Sequence, residues 1–250
     1  MLPLLAPDTA LFLDIDGTLV EFEDRPEDVR IPEALRDTLA ALQQTLDGAV
    51  AVISGRELAD VDALFAPLTL AAAGDHGAEA RLGSAQPARV FAPPQARAAL
   101  DAVLAAVQSR LDAASRVLAQ PKRFSLAFHY RGAESEKQQL GDSVRAAVAP
   151  YDSLLAWVDG ELCFDVKLRG EHKGKVIERF LGDPPFRGRV PVYIGDAGTD
   201  EDGFAAALRL GGRAIRVVNG NSKPTRATET VADPGELRDW LARSAAALSG

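Results

Sequence analysis

A chain of 250 residues with 47% apolar content can bury one substantial core, or one core plus a small inserted unit. Its formal charge of −8 and pI near 5.0 give no long-range attraction for nucleic acid or anionic membranes, so an anionic substrate must be recognised by local groups. The lone cysteine, Cys163, excludes an internal disulfide. With no signal-like N-terminus and no run approaching about 20 apolar residues, a soluble cytoplasmic protein is expected.

The chain opens on an alternation of apolar runs and helical patterns: strand Ala10 to Asp14, helix Ile31 to about Leu46, strand Ala49 to Ile53, helix Glu57 to about Phe65, strand Thr69 to Ala73. This βαβαβ order predicts a parallel sheet with helices on both faces. Near Phe91-Ala92-Pro93-Pro94 the grammar changes. An alanine-rich helix from Gln95 to about Ala114 precedes strands Arg116 to Ala119 and Phe124 to Tyr130. Then come a polar helix from Glu134 to about Val148 and strands Leu154 to Val158 and Glu161 to Lys167, with Asp159-Gly160 as a two-residue hairpin turn. After Arg169-Gly170 the α/β pattern returns: helix Lys173 to Leu181, strand Val190 to Ile194, helix Asp200 to Leu208, strand Ala214 to Val218, and a last helix from Pro234 to about Leu248. The expectation is an α/β core, residues 1–92 and 170–250, interrupted by an α+β unit with an antiparallel sheet at 93–169.

The chemistry sits where strands end. Leu11-Phe12-Leu13-Asp14-Ile15-Asp16-Gly17-Thr18 stops an apolar run on two carboxylates, at the end of the strand where open α/β sheets bind ligands. A carboxylate there can attack phosphorus, and a Mg²⁺ ion among hard oxygen ligands can screen an anionic ester. Val52-Ile53-Ser54-Gly55-Arg56 ends a second run on a hydroxyl and a glycine before a helix, a pattern suited to binding an anion. Alone it would read as a helix N-cap. In His172-Lys173-Gly174-Lys175, Lys173 is the candidate cation, with Gly174 permitting close backbone approach. Ile194-Gly195-Asp196-Ala197-Gly198-Thr199-Asp200 ends a further strand on acids. Asp14 and Asp196, the carbonyl of Asp16 and waters would complete a Mg²⁺ octahedron.

These four motifs, in this order, resemble the haloacid dehalogenase (HAD) superfamily of phosphatases. The resemblance implies that Asp14 is the nucleophile, Asp16 the general acid/base, Ser54 and Gly55 the phosphate-binding motif, Lys173 the cation and Asp196 the metal ligand. A narrower resemblance, to the trehalose-6-phosphate phosphatases, rests on Gly74-Asp75-His76-Gly77-Ala78-Glu79, on Lys122 to Ser125 with His129-Tyr130-Arg131, and on Asp196 to Phe204. It implies a Rossmann-like core and an inserted cap that reads a disaccharide phosphate. Substrate contacts are then expected at Arg56, His76, Glu79, Lys122, His129, Arg131 and Asp165, and a trehalose-phosphate synthase becomes a functional partner. Read singly, His129 and Tyr130 are strand residues with polar tips, and Lys122 is a loop cation. Two positions depart from the family pattern. Ala197 stands where a second aspartate is usual, with Asp200 at an alternative spacing for metal binding, and Asp165 stands where glutamate is commoner. The alternatives are another sugar-phosphate phosphatase of this superfamily, such as one for sucrose phosphate, or a regulatory homologue of low activity.

Overall fold

A computed structural model describes residues 2–23, 25–83, 86–112, 114–160, 162–220 and 223–250. The chain forms two compact units, one reaching to Arg89 and resuming at His172–Gly250, the other Val90–Glu171. In chain order the first unit supplies β1 (Thr9–Leu13), α1 (Glu33–Thr45), β2 (Val50–Ile53), α2 (Leu58–Phe65), β3 (Ala71–Gly74) and β4 (Glu79–Arg81), and β5 (Arg89–Val90) spans the boundary. The second holds α3 (Ala96–Gln108), β6 (Leu118–Pro121), β7 (Leu126–His129), α4 (Lys137–Val148), β8 (Leu155–Asp159) and β9 (Cys163–Leu168). The first then resumes with α5 (Lys173–Gly182), β10 (Val190–Gly195), α6 (Glu201–Arg209), β11 (Arg213–Val217), β12 (Glu229–Val231) and α7 (Pro234–Ser249).

The large sheet has the order β12-β11-β10-β1-β2-β3-β4-β5. From β12 to β3 every pair is parallel, and β4 turns back antiparallel on β3. Every residue of β1 and β2 is buried, as strands covered on both faces require. The chain moves outward from β1 in one direction through β2 and β3, and in the other through β10, β11 and β12. That reversal opens a crevice at the carboxyl ends of β1 and β10, the ends that carry Asp14 and Asp196. Beneath it Phe12, Phe180 and Phe186 pack ring to ring, with centroids 4.9 to 5.8 Å apart. Close packing of α5 on α6 depends on Gly174, where a β-carbon would stand 2.3 Å from the Asp202 carbonyl oxygen.

In the second unit the sheet order is β6-β7-β9-β8, antiparallel throughout. Leu126, Phe128, Phe164, Val166 and Leu168 are buried on one face, where Gly141 of α4 brings the helix against the Phe164 ring. The cross-strand register places Gln120, His129, Cys163, Asp165 and Lys167 on the other face.

The fold class is as expected, with local differences. β4, β5 and β12 have two or three residues each and lack an apolar run, so no period announces them. α3 ends at Gln108 rather than near Ala114 (Ala113 lies outside the described residues) because its buried spacing, Ala96, Ala99, Leu100, Val103, Val107, meets exposed Arg110. The Asp159-Gly160 turn is displaced. Asp159 pairs with Phe164 and the Gly160 N–H donates to the Cys163 carbonyl, so the chain reverses beyond them, at Leu162 with φ 54°. Glu161, expected to open β9, lies outside the described residues.

Candidate active site

Asp14 follows β1 directly and its N–H donates to the Ile194 carbonyl, which ties the end of β1 to β10. Lys173 opens α5, whose N-terminus is capped by His172 Nδ1 accepting the Lys175 N–H at 3.2 Å. This start aims the Lys173 ammonium inward, 2.6 Å from Asp14 Oδ1 and 2.5 Å from Asp200 Oδ1. Thr18 Oγ1 lies 3.1 Å from Asp14 Oδ2 and 3.4 Å from Asp196 Oδ1, bridging two motifs 178 residues apart. Asp14, Asp196, Asp200, Lys173 and Thr18 are all buried.

Asp200, expected as a metal ligand, lies in one acidic group with Asp14 and Asp196 and is also held by four protein donors. One oxygen accepts from Lys173 and from the Tyr193 hydroxyl, while the other accepts the N–H groups of Asp196 and Ala197 at 3.0 and 2.9 Å. Four donors fill the acceptor capacity of a carboxylate. Asp200 therefore fixes the lysine and the turn after β10, and the Ala197 position is held through its backbone. Gly195 makes the fold-back possible, since a β-carbon there would stand 2.4 Å from Asp200 Cγ.

The oxygens offered by Asp14, Asp196 and Asp200 lie within 4.8 Å of one another, and Lys173 is the one cation hydrogen-bonded to them among the described residues. Burial raises the Asp14 carboxyl to about 7 against the pull of Lys173, with Asp200 and Asp16 adding repulsion. Burial, then repulsion from Asp14 and Asp200, raises Asp196 to about 9. Burial opposes the Lys173 ammonium, but Asp14 and Asp200 outweigh it and hold its pKa above the ordinary lysine value. A dense set of hard oxygens short of positive charge fits a divalent cation such as Mg²⁺. Asp14, Asp196 and Asp200 are the clustered carboxylates that could hold one.

Asp16 is not one of the three grouped acids. Arg56 grips its carboxylate in a fork, Nε to Oδ2 at 2.8 Å and Nη2 to Oδ1 at 2.7 Å. Arg56 was expected on substrate; here its guanidinium is engaged with the acid/base candidate. That carboxylate outweighs burial and holds the guanidinium pKa above its usual value. Ser54 does not cap α2. The helix begins four residues later, and Ser54 Oγ accepts the Arg56 N–H at 3.1 Å within a tight loop.

That loop is mounted on the Gly74–Glu79 segment. Asp75 and His76 both have positive φ, 48° and 57°, unusual for residues with a β-carbon. Their N–H groups donate to the Arg56 and Ser54 carbonyls. The His76 ring covers Gly55, where a β-carbon would meet it at 2.7 Å. Glu79 Oε1 accepts the Leu58 N–H at 3.1 Å, capping α2 from outside the helix. Expected as substrate contacts, His76 and Glu79 are buried behind the Ser54–Arg56 loop and shape it.

In the second unit, His129 and Asp165 share the sheet face away from α4, with His129 Nε2 3.0 Å from Gln120 Oε1. Lys122 follows β6, its N–H donating to the Ser125 carbonyl, and Arg131 is exposed beyond β7. Sequence reasoning missed Thr18 and Tyr193 as members of the cluster. It also missed Asn219, whose Nδ2 donates to the Gly17 carbonyl at 2.7 Å from 202 residues away. Only Thr18, four residues after Asp14 inside the quoted motif, carried a local signal.

Residues 12–235 match the sequence profile of the family described as Trehalose-phosphatase. The chain is 33% identical over 246 residues to the trehalose-6-phosphate phosphatase of Escherichia coli, covering 98% of this chain and 90% of that protein. It is 36% identical over 215 residues to a probable trehalose-phosphate phosphatase of Sinorhizobium fredii, covering 83% and 77%. In fold it is similar to the C-terminal domain of the C. albicans trehalose-6-phosphate phosphatase, with a TM-score of 0.79 at 17% identity over 95% of this chain and 92% of that one.

Proposed function

The chain belongs to the trehalose-phosphatase family, and on that premise we propose that it hydrolyses trehalose 6-phosphate to trehalose and phosphate through an aspartyl-phosphate at Asp14, with Mg²⁺ bound. The observation that carries the reading is the buried Asp14–Lys173–Asp200 chain of hydrogen bonds beside Asp196 at the strand ends. Lys173 and Thr18 hold the Asp14 carboxylate by both oxygens, orienting it as a nucleophile. An Asp14 oxygen attacks phosphorus as the bond to the sugar oxygen breaks, and Asp16 gives that oxygen a proton. Asp16 then takes a proton from water as the water oxygen attacks the phosphoryl group, restoring Asp14. The Arg56 fork must open for Asp16 to reach the leaving oxygen, which makes Arg56 available to the phosphate.

Asp14 and Asp196 would hold a Mg²⁺ ion, whose positive charge would let the anionic ester approach an anionic nucleophile. We assign the reading of the sugar to Lys122, His129 and Asp165 of the inserted unit, with Arg131 at its edge. Among the described residues no helix is long and apolar enough to cross a membrane. A panel of sugar phosphates assayed with and without EDTA tests the proposal. Trehalose 6-phosphate should be the preferred ester and EDTA should stop its hydrolysis. Preference for sucrose phosphate or a hexose phosphate would reassign the substrate, and no release of phosphate would point to a regulatory homologue.

A further inference from the structure

Phe22 is the only aromatic ring among the exposed large hydrophobic residues described, at 42% exposure, while Phe12, Phe65, Phe128 and Phe180 are sealed in the cores. The loop that presents it is firmly held. The Gly17 N–H donates to the Val20 carbonyl at 2.8 Å and Asn219 holds the Gly17 carbonyl. Arg238 donates to the Leu19 carbonyl at 3.0 Å and forks onto both oxygens of Glu21. The ring edge rests against Gly17, which has φ +79°. A β-carbon there would stand 2.4 Å from Phe22 Cε2 and 2.5 Å from Asp196 Oδ2. A flat apolar surface thus stands beside the reaction centre on one side and faces solvent on the other.

We propose that Phe22 is a specificity-determining residue whose ring seats the apolar face of a ring-bearing leaving group next to the phosphate. The faces of a pyranose present C–H groups, and an aromatic face carries the negative potential that attracts them. A pocket contact of this kind discriminates between leaving groups without touching the reacting atoms. The inference deepens the phosphatase reading and rests on it.

The test is the ratio of kcat/KM for trehalose 6-phosphate to that for glycerol 3-phosphate, whose leaving group has no ring. Phe22→Ala should lower the ratio on the order of 10-fold, Phe22→Leu should lower it less, and Phe22→Tyr should keep it. An unchanged ratio in Phe22→Ala would overturn the proposal, whether both rates held or both fell; an equal fall would mean that the ring only braces Gly17. Should the wild type turn over nitrophenyl phosphate and not trehalose 6-phosphate, the substrate assignment fails separately. The nitrophenyl to glycerol phosphate ratio then decides the role of Phe22 by the same criterion.

Discussion

Replacing Asp200 by Asn separates a structural pin from a metal ligand. In the wild type, four donors converge on this fully buried carboxylate: Lys173, the Tyr193 hydroxyl, and the N–H groups of Asp196 and Ala197. Asparagine offers one acceptor oxygen and one NH₂ group. With its NH₂ toward Asp196 and Ala197 the amide faces two N–H donors; turned the other way it faces the Lys173 ammonium, and only the Tyr193 hydroxyl can rotate to accept from it. The Lys173 ammonium also loses one of its two carboxylate partners. Breaking a buried ion pair from one side costs about 3–5 kcal/mol. For a chain of this size that is a fall in Tm of roughly 6–20 °C. Differential scanning fluorimetry in EDTA reads the loss with no metal involved. An Asp200→Asn variant that melts like wild type in EDTA and differs only in the Mg²⁺ concentration needed for activity would show that Asp200 acts as a ligand instead.

Three further outcomes follow from named contacts. Asp14 and Asp196 are held at about 7 and about 9 against an ordinary 3.8, so the folded metal-free chain binds more protons than the unfolded one; stability from these groups is complete below about pH 4 and is lost as pH rises through the raised values. Melting curves from about pH 5 to about pH 9 should show the stabilisation by Mg²⁺ growing with pH, and parallel EDTA and Mg²⁺ curves would contradict it. Arg56→Lys keeps the charge but not the fork, so its loss of turnover should stay within the roughly 10²- to 10⁴-fold that acid–base catalysis contributes and should shrink in an Asp16→Asn background; full additivity would show that Arg56 acts apart from Asp16. Glu79→Ala leaves the buried Leu58 N–H without its acceptor and should cost about 1–3 kcal/mol in denaturant unfolding, with Glu79→Gln close to wild type. A Gln variant of normal stability but raised KM for the sugar phosphate would instead make Glu79 a substrate contact.

The parts of the fold that could be read along the chain are those where burial writes a period. β1 and β2, fully buried, and β10, buried from Pro191 onward, appear as apolar runs, and the acids that end β1 and β10 stand out because a carboxylate is costly there. α5 and the turn of β10 into α6 were legible for a related reason: Gly174 and Gly195 sit where backbone or carboxylate comes too close for a β-carbon. What stayed hidden depends on contacts across long separations. Nothing near Arg56 indicates that its partner is Asp16, 40 residues earlier. Tyr193 looks like one more buried strand residue until its hydroxyl is seen on Asp200. The Gly74–Glu79 segment was recognisable as a motif, yet its chemistry pointed to a ligand, whereas the strained turn supports the Ser54–Arg56 loop. Short strands such as β12 owe their existence to a neighbour's edge, which no local pattern records.

Asp14 is the residue proposed to carry the phosphoryl group. Rapid acid quench of enzyme mixed with trehalose 6-phosphate and Mg²⁺, followed by borohydride reduction, converts an acyl phosphate to an alcohol and marks the residue in a peptide map. Homoserine is expected at position 14 during turnover, and none when substrate is omitted. Steady release of phosphate with position 14 unmodified at every quench time, or with the mark on another residue, would contradict that role for Asp14.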